Sequence, residues 1–214
     1  MIPVSLSWIA EKVEGTLNTK SVEELQIKGV STDTRTLQPG DLFIALVGPD
    51  HNAHDHLFRA LEKGAAAIIV SRPVDCPLPL ILVDDTKAAL GKLGAAVKQQ
   101  VNPKTVGITG SSGKTTVKEM VASILSVRGK VLFTKGNYNN DIGVPLTLLR
   151  LEKQHEYAVI ELGANHLGEI AYTTNLVKPD VATIVNAAAS HLEGFGSLFG
   201  VARAKSEIYK GLST

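Results

Sequence analysis

One segment sets the architecture of this chain: Val106-Gly107-Ile108-Thr109-Gly110-Ser111-Ser112-Gly113-Lys114-Thr115-Thr116. The β-branched Val106 and Ile108 are typical of a buried strand, and Gly110 and Gly113 allow the backbone angles of a tight turn. Apolar residues then recur at helical spacing from 117 to 125. The segment therefore predicts a strand, a glycine-rich loop and a helix, in that order.

This order is typical of a phosphate-binding loop. Backbone N–H groups of the loop and of the helix N-terminus would converge on one point and favour an anion. Lys114 adds a charge for the outer phosphates, and the Thr115 hydroxyl can bind Mg²⁺. The general pattern G-x-x-x-x-G-K-[ST] lacks its first glycine here, because position 108 is Ile. A turn that merely holds a lysine is the alternative, but the order of elements favours phosphate. The expected phosphate-binding residues are Gly110, Ser111, Ser112, Gly113, Lys114, Thr115 and Thr116.

Strands and helices alternate from residue 85 onward. Predicted strands span 104–109, 131–133, 157–161 and 181–185, and predicted helices span 86–101, 117–125, 144–151 and 197–209. This alternation is typical of a parallel sheet covered by helices, the α/β class. We therefore expect a domain at 85–214.

Glu161 ends an apolar strand, and ligands of parallel sheets bind beyond the carboxyl ends of the strands. A carboxylate at that edge, near a phosphate loop, would hold magnesium directly or through water. An ordinary strand-ending glutamate is the alternative, and the run Glu161-Leu162-Gly163-Ala164-Asn165-His166 favours the metal role. His191, in the loop after the strand 181–185, could bind metal or phosphate, or be a hydrogen-bonded loop histidine. Lys205 lies on a helix where a lysine is usually exposed.

Residues 1–84 predict a smaller α/β domain. Predicted helices span 5–14 and 57–63, and predicted strands span 25–30, 42–47, 65–70 and 80–83. The polar loop around Thr34 could contact a ligand, although turn chemistry accounts equally for its Asp and Thr residues. A metal site at His51, His54 and His56 is conceivable, but we favour a solvated loop that enters a helix.

The composition indicates a soluble cytoplasmic protein. The net charge is +1, but residues 1–84 carry −4 and residues 85–214 carry +5, a bias too small to indicate nucleic acid. Cys76 is the single cysteine, which is consistent with a reducing compartment. The sequence shows no leader pattern and no apolar run of about 18 residues, so we expect no membrane span. We also expect a monomer.

Several motifs in this order resemble the Mur ligase family, the ATP-dependent amide ligases of peptidoglycan precursor synthesis. The resemblance runs from residue 2 to the end, and a phosphate loop without the first glycine is normal in that family. The motifs lie at residues 32–35 with 39–43, 109–115, 136–145, 161–165 and 191–196.

The resemblance implies a fold and a reaction. The fold is a small N-terminal α/β UDP-sugar-binding domain at 1–84, followed by a truncated P-loop-type parallel-sheet ATPase domain at 85–214. In the family reaction, ATP phosphorylates a peptide carboxylate of a UDP-N-acetylmuramoyl peptide, and an amine attacks the acyl phosphate. The Asn-Asn-Asp-Ile-Gly-Val-Pro segment at 139–145 favours the family member that adds D-alanyl-D-alanine to the tripeptide.

The resemblance also implies roles for single residues. Glu161 and His191 match metal-site residues, and Asn139 and Asn140 lie where the family lines its reaction cleft. Thr34 would face the UDP group. Lys205 matches the lysine that takes up carbon dioxide as a carbamate, which would make it an anionic magnesium ligand. The catalytic residues expected are Lys114, Glu161, His191 and Lys205, with Thr115 as a further metal ligand.

Three alternatives stay open. The chain could belong to another ligase of the superfamily, such as the tripeptide synthetase or folylpolyglutamate synthetase, or it could be a non-catalytic nucleotide- or UDP-sugar-binding module. A P-loop kinase is disfavoured because no acceptor-binding lid is visible. Family chains are roughly twice as long and carry a third domain, so we expect a fragment that is inactive alone.

Overall fold

A computed structural model describes residues 1–18, 25–49, 52–190 and 192–212. The chain divides into two compact units, Met1–Ala96 and Val97–Thr214, here called the N-terminal and C-terminal units. The division falls inside the helix Thr86–Val101, whereas the sequence analysis places the domain boundary between residues 84 and 85. That boundary stays a prediction.

The N-terminal unit is built on a five-stranded sheet. Its strands are β1 Val4–Ser5, β2 Thr16–Leu17, β3 Gln26–Ile27, β4 Val30–Ser31, β5 Leu42–Ile44, β6 Ala67–Val70 and β7 Leu80–Leu82. Its helices are α1 Leu6–Lys12, a 3₁₀ helix Ala53–His56, α2 Leu57–Glu62 and the first part of α3 Thr86–Val101. The sheet order is β2-β7-β6-β5-β4, parallel except where β2 joins, and β1 pairs with β3 separately.

Alternating side chains of this sheet form the core of the unit. Phe43, Ile68, Val70 and Leu80 pack with residues of α2 and of the loops around it. Burial of these apolar side chains is the main stabilising term, at roughly 25 cal/mol per Å² removed from water. The small α/β domain predicted for this part of the chain is confirmed.

The single strand predicted at 25–30 is wrong, because the segment divides at Gly29 into two strands of different sheets. Ile27 of β3 pairs with Val4, whereas Val30 of β4 pairs with Leu42. The Asp41 carboxylate lies where a Cβ of Gly29 would be, only 1.9 Å from that position. A larger residue at this position would displace the Asp41 side chain, and the chain changes sheets at that residue.

The C-terminal unit is a parallel sheet with helices around it. Its strands are β8 Lys104–Thr109, β9 Val131–Phe133, β10 Tyr157–Glu161 and β11 Val181–Ile184. Its helices are the end of α3, then α4 Lys114–Ser126, α5 Gly143–Leu148, α6 Glu169–Val177, α7 Leu192–Phe195, α8 Leu198–Ser206 and a 3₁₀ helix Glu207–Gly211. The order β11-β8-β10-β9 is parallel throughout, which confirms the predicted class.

The core under α4 joins the phosphate-loop segment to the sheet. Ile108, Ala122 and Val159 are buried, and partly buried apolar side chains of α4, β8 and β9 pack around them. Because β10 and β11 flank β8, the carboxyl ends of all three strands lie at one edge. Among the described residues, no helix has the length and apolar character needed to cross a membrane.

Candidate active site

The phosphate loop connects β8 to α4 and is shaped by two glycines. Gly113 caps the helix with φ +74°, a left-handed conformation that L-residues other than glycine rarely adopt. A Cβ on Gly110 would lie 3.1 Å from the Cβ of Val185, in the segment that follows β11. The loop therefore lies close against the end of the neighbouring strand.

Lys114 folds back over this loop. Its ammonium donates a hydrogen bond to the Gly110 carbonyl at 2.9 Å. The N–H groups of the first turn of α4, at Lys114, Thr115 and Thr116, have no acceptor within the helix, and the helix dipole adds positive potential. The ammonium and these amides are the groups of the loop that could bind a phosphate, and that role stays a prediction.

The sequence analysis expects the N–H groups of the loop to point at a bound anion, but two of them are bonded to Asn186 instead. The N–H groups of Ser111 and Ser112 donate to the side-chain oxygen of Asn186 at 3.2 and 3.0 Å. The Ser111 N–H also reaches the Asn186 main-chain oxygen at 3.1 Å. Both amides are therefore engaged by the protein itself, and a role for Ser111 and Ser112 in phosphate binding stays a prediction.

Glu161 lies beside the phosphate loop, because β10 pairs with β8 in a register that places Glu161 opposite Ile108. Its side chain is buried, and one oxygen accepts a hydrogen bond from the Thr115 hydroxyl at 3.0 Å. The other oxygen accepts from the Asn139 side-chain N–H at 2.8 Å. The structure thus brings together Thr115, Glu161 and Asn139, three of the residues that the sequence analysis singled out.

These oxygens fit a magnesium site. The hydrogen-bond partners of the buried Glu161 carboxylate are the neutral side chains of Thr115 and Asn139. Hydroxyl and carboxylate oxygens are ligands that Mg²⁺ prefers. Within the described part of the chain, no group of three or more His, Cys, Asp or Glu side chains could hold a metal by itself. His191 lies outside the described residues.

Lys205 is buried, so the alternative of an exposed helix lysine is wrong. Its ammonium lies 5.4 Å from the centre of the Phe195 ring. Burial lowers the pKa of Lys205, and the positive charge of Lys114 lowers it further. A lowered pKa increases the fraction of neutral amine, which is the form that reacts with carbon dioxide.

Asn140 has a structural contact of its own. Its side-chain oxygen accepts a hydrogen bond from the Gly143 N–H at 2.8 Å, at the start of α5. Its main-chain oxygen accepts from the Val144 N–H at 2.9 Å. The side chain therefore stabilises the beginning of that helix, and a further contact with substrate stays a prediction.

Thr34 and the histidines belong to the N-terminal unit. Thr34 is buried in a loop that Asp33 closes by accepting hydrogen bonds from the Arg35 guanidinium and N–H. Its predicted contact with a UDP group stays a prediction. His54 is buried and bonds to Asn52 and to the Ser71 N–H, so this histidine is not solvated as expected, whereas the helix expected after the loop is present as α2. His51 lies outside the described residues.

The sequence analysis missed two polar residues of the C-terminal site as structural partners. Thr134 follows β9, and its hydroxyl accepts a hydrogen bond from the Glu161 N–H at 3.0 Å. Asn186 follows β11 and contacts the phosphate loop. Each of them lies just after a strand of the parallel sheet, and that position is the signal that could have found them.

Comparison with known proteins agrees with this geometry. A family model described as the Mur ligase middle domain matches residues 108–214. The UDP-N-acetylmuramoyl-tripeptide–D-alanyl-D-alanine ligase of Escherichia coli (strain K12) is 55% identical over 212 residues, which are 99% of this chain and 46% of that protein. The ligase of the same name from Bacillus subtilis (strain 168) is 43% identical over 215 residues, 99% of this chain and 47% of that protein.

Solved structures give the same result. A crystal structure of MurF from Acinetobacter baumannii superposes with a TM-score of 0.95 at 44% identity, covering 99% of this chain and 47% of that one. MurF ligase from Thermotoga maritima, solved in complex with ADP, gives a TM-score of 0.81 at 34% identity, covering 87% and 44%. The chain spans about half the length of the curated relatives it matches. Since the family model covers half of the chain, including the end of β8, the phosphate loop and Glu161, the chain belongs to the Mur ligase family.

Proposed function

We propose that this chain supplies the UDP-sugar-binding and ATP-binding parts of a ligase that adds D-alanyl-D-alanine to UDP-N-acetylmuramoyl-tripeptide. The contact between Thr115 and the buried Glu161, beside a phosphate loop, carries the proposal. The printed names of the E. coli and B. subtilis relatives supply the substrates. The ADP in the T. maritima structure supplies the nucleotide class.

The proposed reaction has two steps. The terminal carboxylate of the tripeptide takes the γ-phosphoryl group of ATP and releases ADP. The amine of D-alanyl-D-alanine then attacks the acyl phosphate, so that an amide bond forms and inorganic phosphate leaves. Both steps require neutralisation of phosphate charge and alignment of the reacting groups.

The residues of the chain supply most of that neutralisation. Lys114 exchanges its hydrogen bond with the Gly110 carbonyl for the outer phosphates, and the first-turn amides of α4 bind the same groups. Asn139 and Thr115 each donate to one oxygen of the Glu161 carboxylate and fix its direction, whereas Thr134 accepts from the main-chain N–H of Glu161. The side chain is therefore preorganised before ATP arrives.

Thr115 and Glu161 would hold Mg²⁺, with His191 and a carbamate on Lys205 as further ligands that the family resemblance implies. The ion would supply positive charge at the phosphates. Thr34, Asn139 and Asn140 are the substrate-binding residues of this proposal. It also assigns the chain to the cytoplasm and treats it as a monomer.

A chimera tests this function directly. Residues 1–212 of this chain replace the matching half of the E. coli ligase, and release of inorganic phosphate is measured with ATP, Mg²⁺ and the tripeptide substrate. We expect phosphate release that depends on D-alanyl-D-alanine, and none from the 214-residue chain alone. A folded chimera that binds ATP but forms no amide product would contradict the proposed function.

A further inference from the structure

The side chain of Asn186 makes four hydrogen bonds to the phosphate loop. Its oxygen accepts from the N–H groups of Ser111 and Ser112, and its nitrogen donates to the carbonyl and to the hydroxyl of Ser112, both at 3.1 Å. A primary amide has one acceptor oxygen and two N–H donors. In all four contacts the oxygen accepts and the nitrogen donates. No single-atom substitution of this side chain would keep the whole set.

A second contact joins the same two segments. The Ser111 hydroxyl donates to the Ala188 carbonyl at 3.0 Å and accepts from the Ala188 N–H at 3.0 Å. Val185 extends the pairing of β11 by one residue, since its N–H donates to the Thr109 carbonyl at 2.8 Å. The loop is therefore fastened to a rigid neighbouring strand end.

The contacts of Asn186 matter because Lys114 cannot hold the loop and a phosphate at the same time. Its ammonium donates to the Gly110 carbonyl and closes the loop on itself, but that bond is lost when the ammonium turns to a phosphate. The contacts of Asn186 do not involve Lys114, so they persist when the lysine moves. They keep Ser111 and Ser112 in place and save the cost of ordering the loop on binding.

We propose that Asn186 is a positioning residue that holds the phosphate loop in its binding shape from the end of β11. The inference rests on the proposed function in one respect, since it takes ATP as the ligand of the loop. The contacts themselves join protein atoms only, and this allows the two ideas to be tested separately.

Amide hydrogen exchange of the 214-residue chain without nucleotide tests the contact. Ser112 N–H has the Asn186 side chain as its acceptor, whereas Ser111 N–H keeps the Asn186 main-chain oxygen in any variant. In Asn186→Ala we expect exchange of the Ser112 amide to rise about tenfold, with a smaller change at Ser111. Asn186→Asp keeps the acceptor and should leave Ser112 protected. Asn175→Ala, at an exposed position of α6, is the matched control.

Calorimetry with ATP and Mg²⁺ on the same proteins tests the consequence. We expect Asn186→Ala to weaken binding about tenfold, since the loop must then be ordered on binding. Asn186→Asp should also weaken it, because a carboxylate beside the loop repels the phosphates. A purely structural role would instead make Ser112 protection and ATP affinity fall together in Asn186→Asp as well as in Asn186→Ala.

Two results would overturn the inference. One is a folded Asn186→Ala protein whose Ser112 exchange and ATP affinity equal those of Asn175→Ala. The other is loss of Ser112 protection in Asn186→Asp. Failure of the unchanged chain to bind ATP would count against the proposed function instead, and Ser112 exchange would then decide the role of Asn186 alone.

Discussion

Lys205 shows how a buried environment can prepare a lysine for chemistry. Burial and the charge of Lys114 lower its pKa, so a larger fraction of the side chain is neutral at a given pH. We predict that Lys205→Ala in the chimera lowers turnover about a hundredfold or more, because the proposed carbamate ligand of the metal could no longer form. Acetate or formate should restore part of the activity by filling the vacated position.

Lys153→Ala is the matched control, since Lys153 is exposed in the loop after α5. Its turnover should equal that of the unchanged chimera. Full activity of Lys205→Ala without added acid would show that the residue has no part in the reaction.

Asp33 gives the N-terminal unit a measurable pH dependence. The Arg35 guanidinium, through its side-chain hydrogen bonds, lowers the pKa of Asp33 from 3.8 to about 2. Because this folded-state pKa lies below the unfolded one, the stabilisation is complete above about pH 4 and disappears as the pH falls toward 2. Since the pair lies at the surface, we expect a contribution below about 1 kcal/mol.

Asp33→Asn should therefore remove this part of the acid dependence. The free energy of unfolding, measured with urea at pH values from about 5 to about 2, gives this acid dependence, because the interval spans the folded and unfolded pKa of Asp33. The exposed Asp75→Asn is the control and should follow the unchanged protein. Identical acid profiles for all three proteins would show that the ion pair contributes nothing.

At the scale of single residues, the site was predictable where it depends on strand ends. Thr115 and Glu161 are 46 residues apart, yet a phosphate loop and the end of a parallel strand predict that they meet at one edge. The partner of the Ser112 amide was not predictable, because Asn186 lies 74 residues away and an asparagine after a strand has many alternative contacts.

At the scale of elements, α6 shows what local sequence leaves out. Its Thr173 and Thr174 are poor helix formers, and the sequence analysis assigned no helix there. The Glu207 carboxylate accepts hydrogen bonds from the N–H groups of Gly168 and Ala171, at 2.9 to 3.1 Å. Glu207, more than thirty positions later in the chain, thus caps the N-terminus of α6. A carboxylate at that end interacts favourably with the helix dipole.

Glu207→Ala should lower the free energy of unfolding of the C-terminal unit by about 1 kcal/mol, since the N–H groups of Gly168 and Ala171 lose their acceptor at a partly buried helix start. Urea unfolding measures the change. Glu193→Ala, at an exposed position of α7, should change stability by less than about 0.5 kcal/mol. Equal stability of the two variants would show that the cap is not needed.

Glu207 is also the residue at which α8 gives way to a 3₁₀ helix. A helix was predicted for 197–209, but the α-helix ends at Ser206 and a 3₁₀ helix follows from Glu207. The apolar periodicity continues through Ile208 and gives no sign of this change. The position of Glu207 against α6 depends on tertiary structure, which a local pattern does not contain.

At the scale of the whole molecule, the order of elements was the most predictable property. Alternating strands and helices after residue 85 predicted the parallel sheet, and the smaller α/β unit before it was also expected. The ends of the elements and the change of sheets at Gly29 were not predictable, because they depend on which distant strand each segment pairs with. The chain spans about half the length of its relatives, so assays of the whole reaction require the chimera.

The central claim is that Lys114 and Glu161 belong to one Mg²⁺–ATP site in the C-terminal unit. Isothermal titration of the 214-residue chain with ATP, with and without Mg²⁺, tests it most directly. We predict Mg²⁺-dependent binding, weakened about thirtyfold in Lys114→Ala and made insensitive to Mg²⁺ in Glu161→Gln. The exposed Lys153→Ala and Glu62→Gln should bind as the unchanged chain does. Equal ATP affinity in the unchanged chain and in Lys114→Ala, with the same Mg²⁺ response in Glu161→Gln, would contradict the claim.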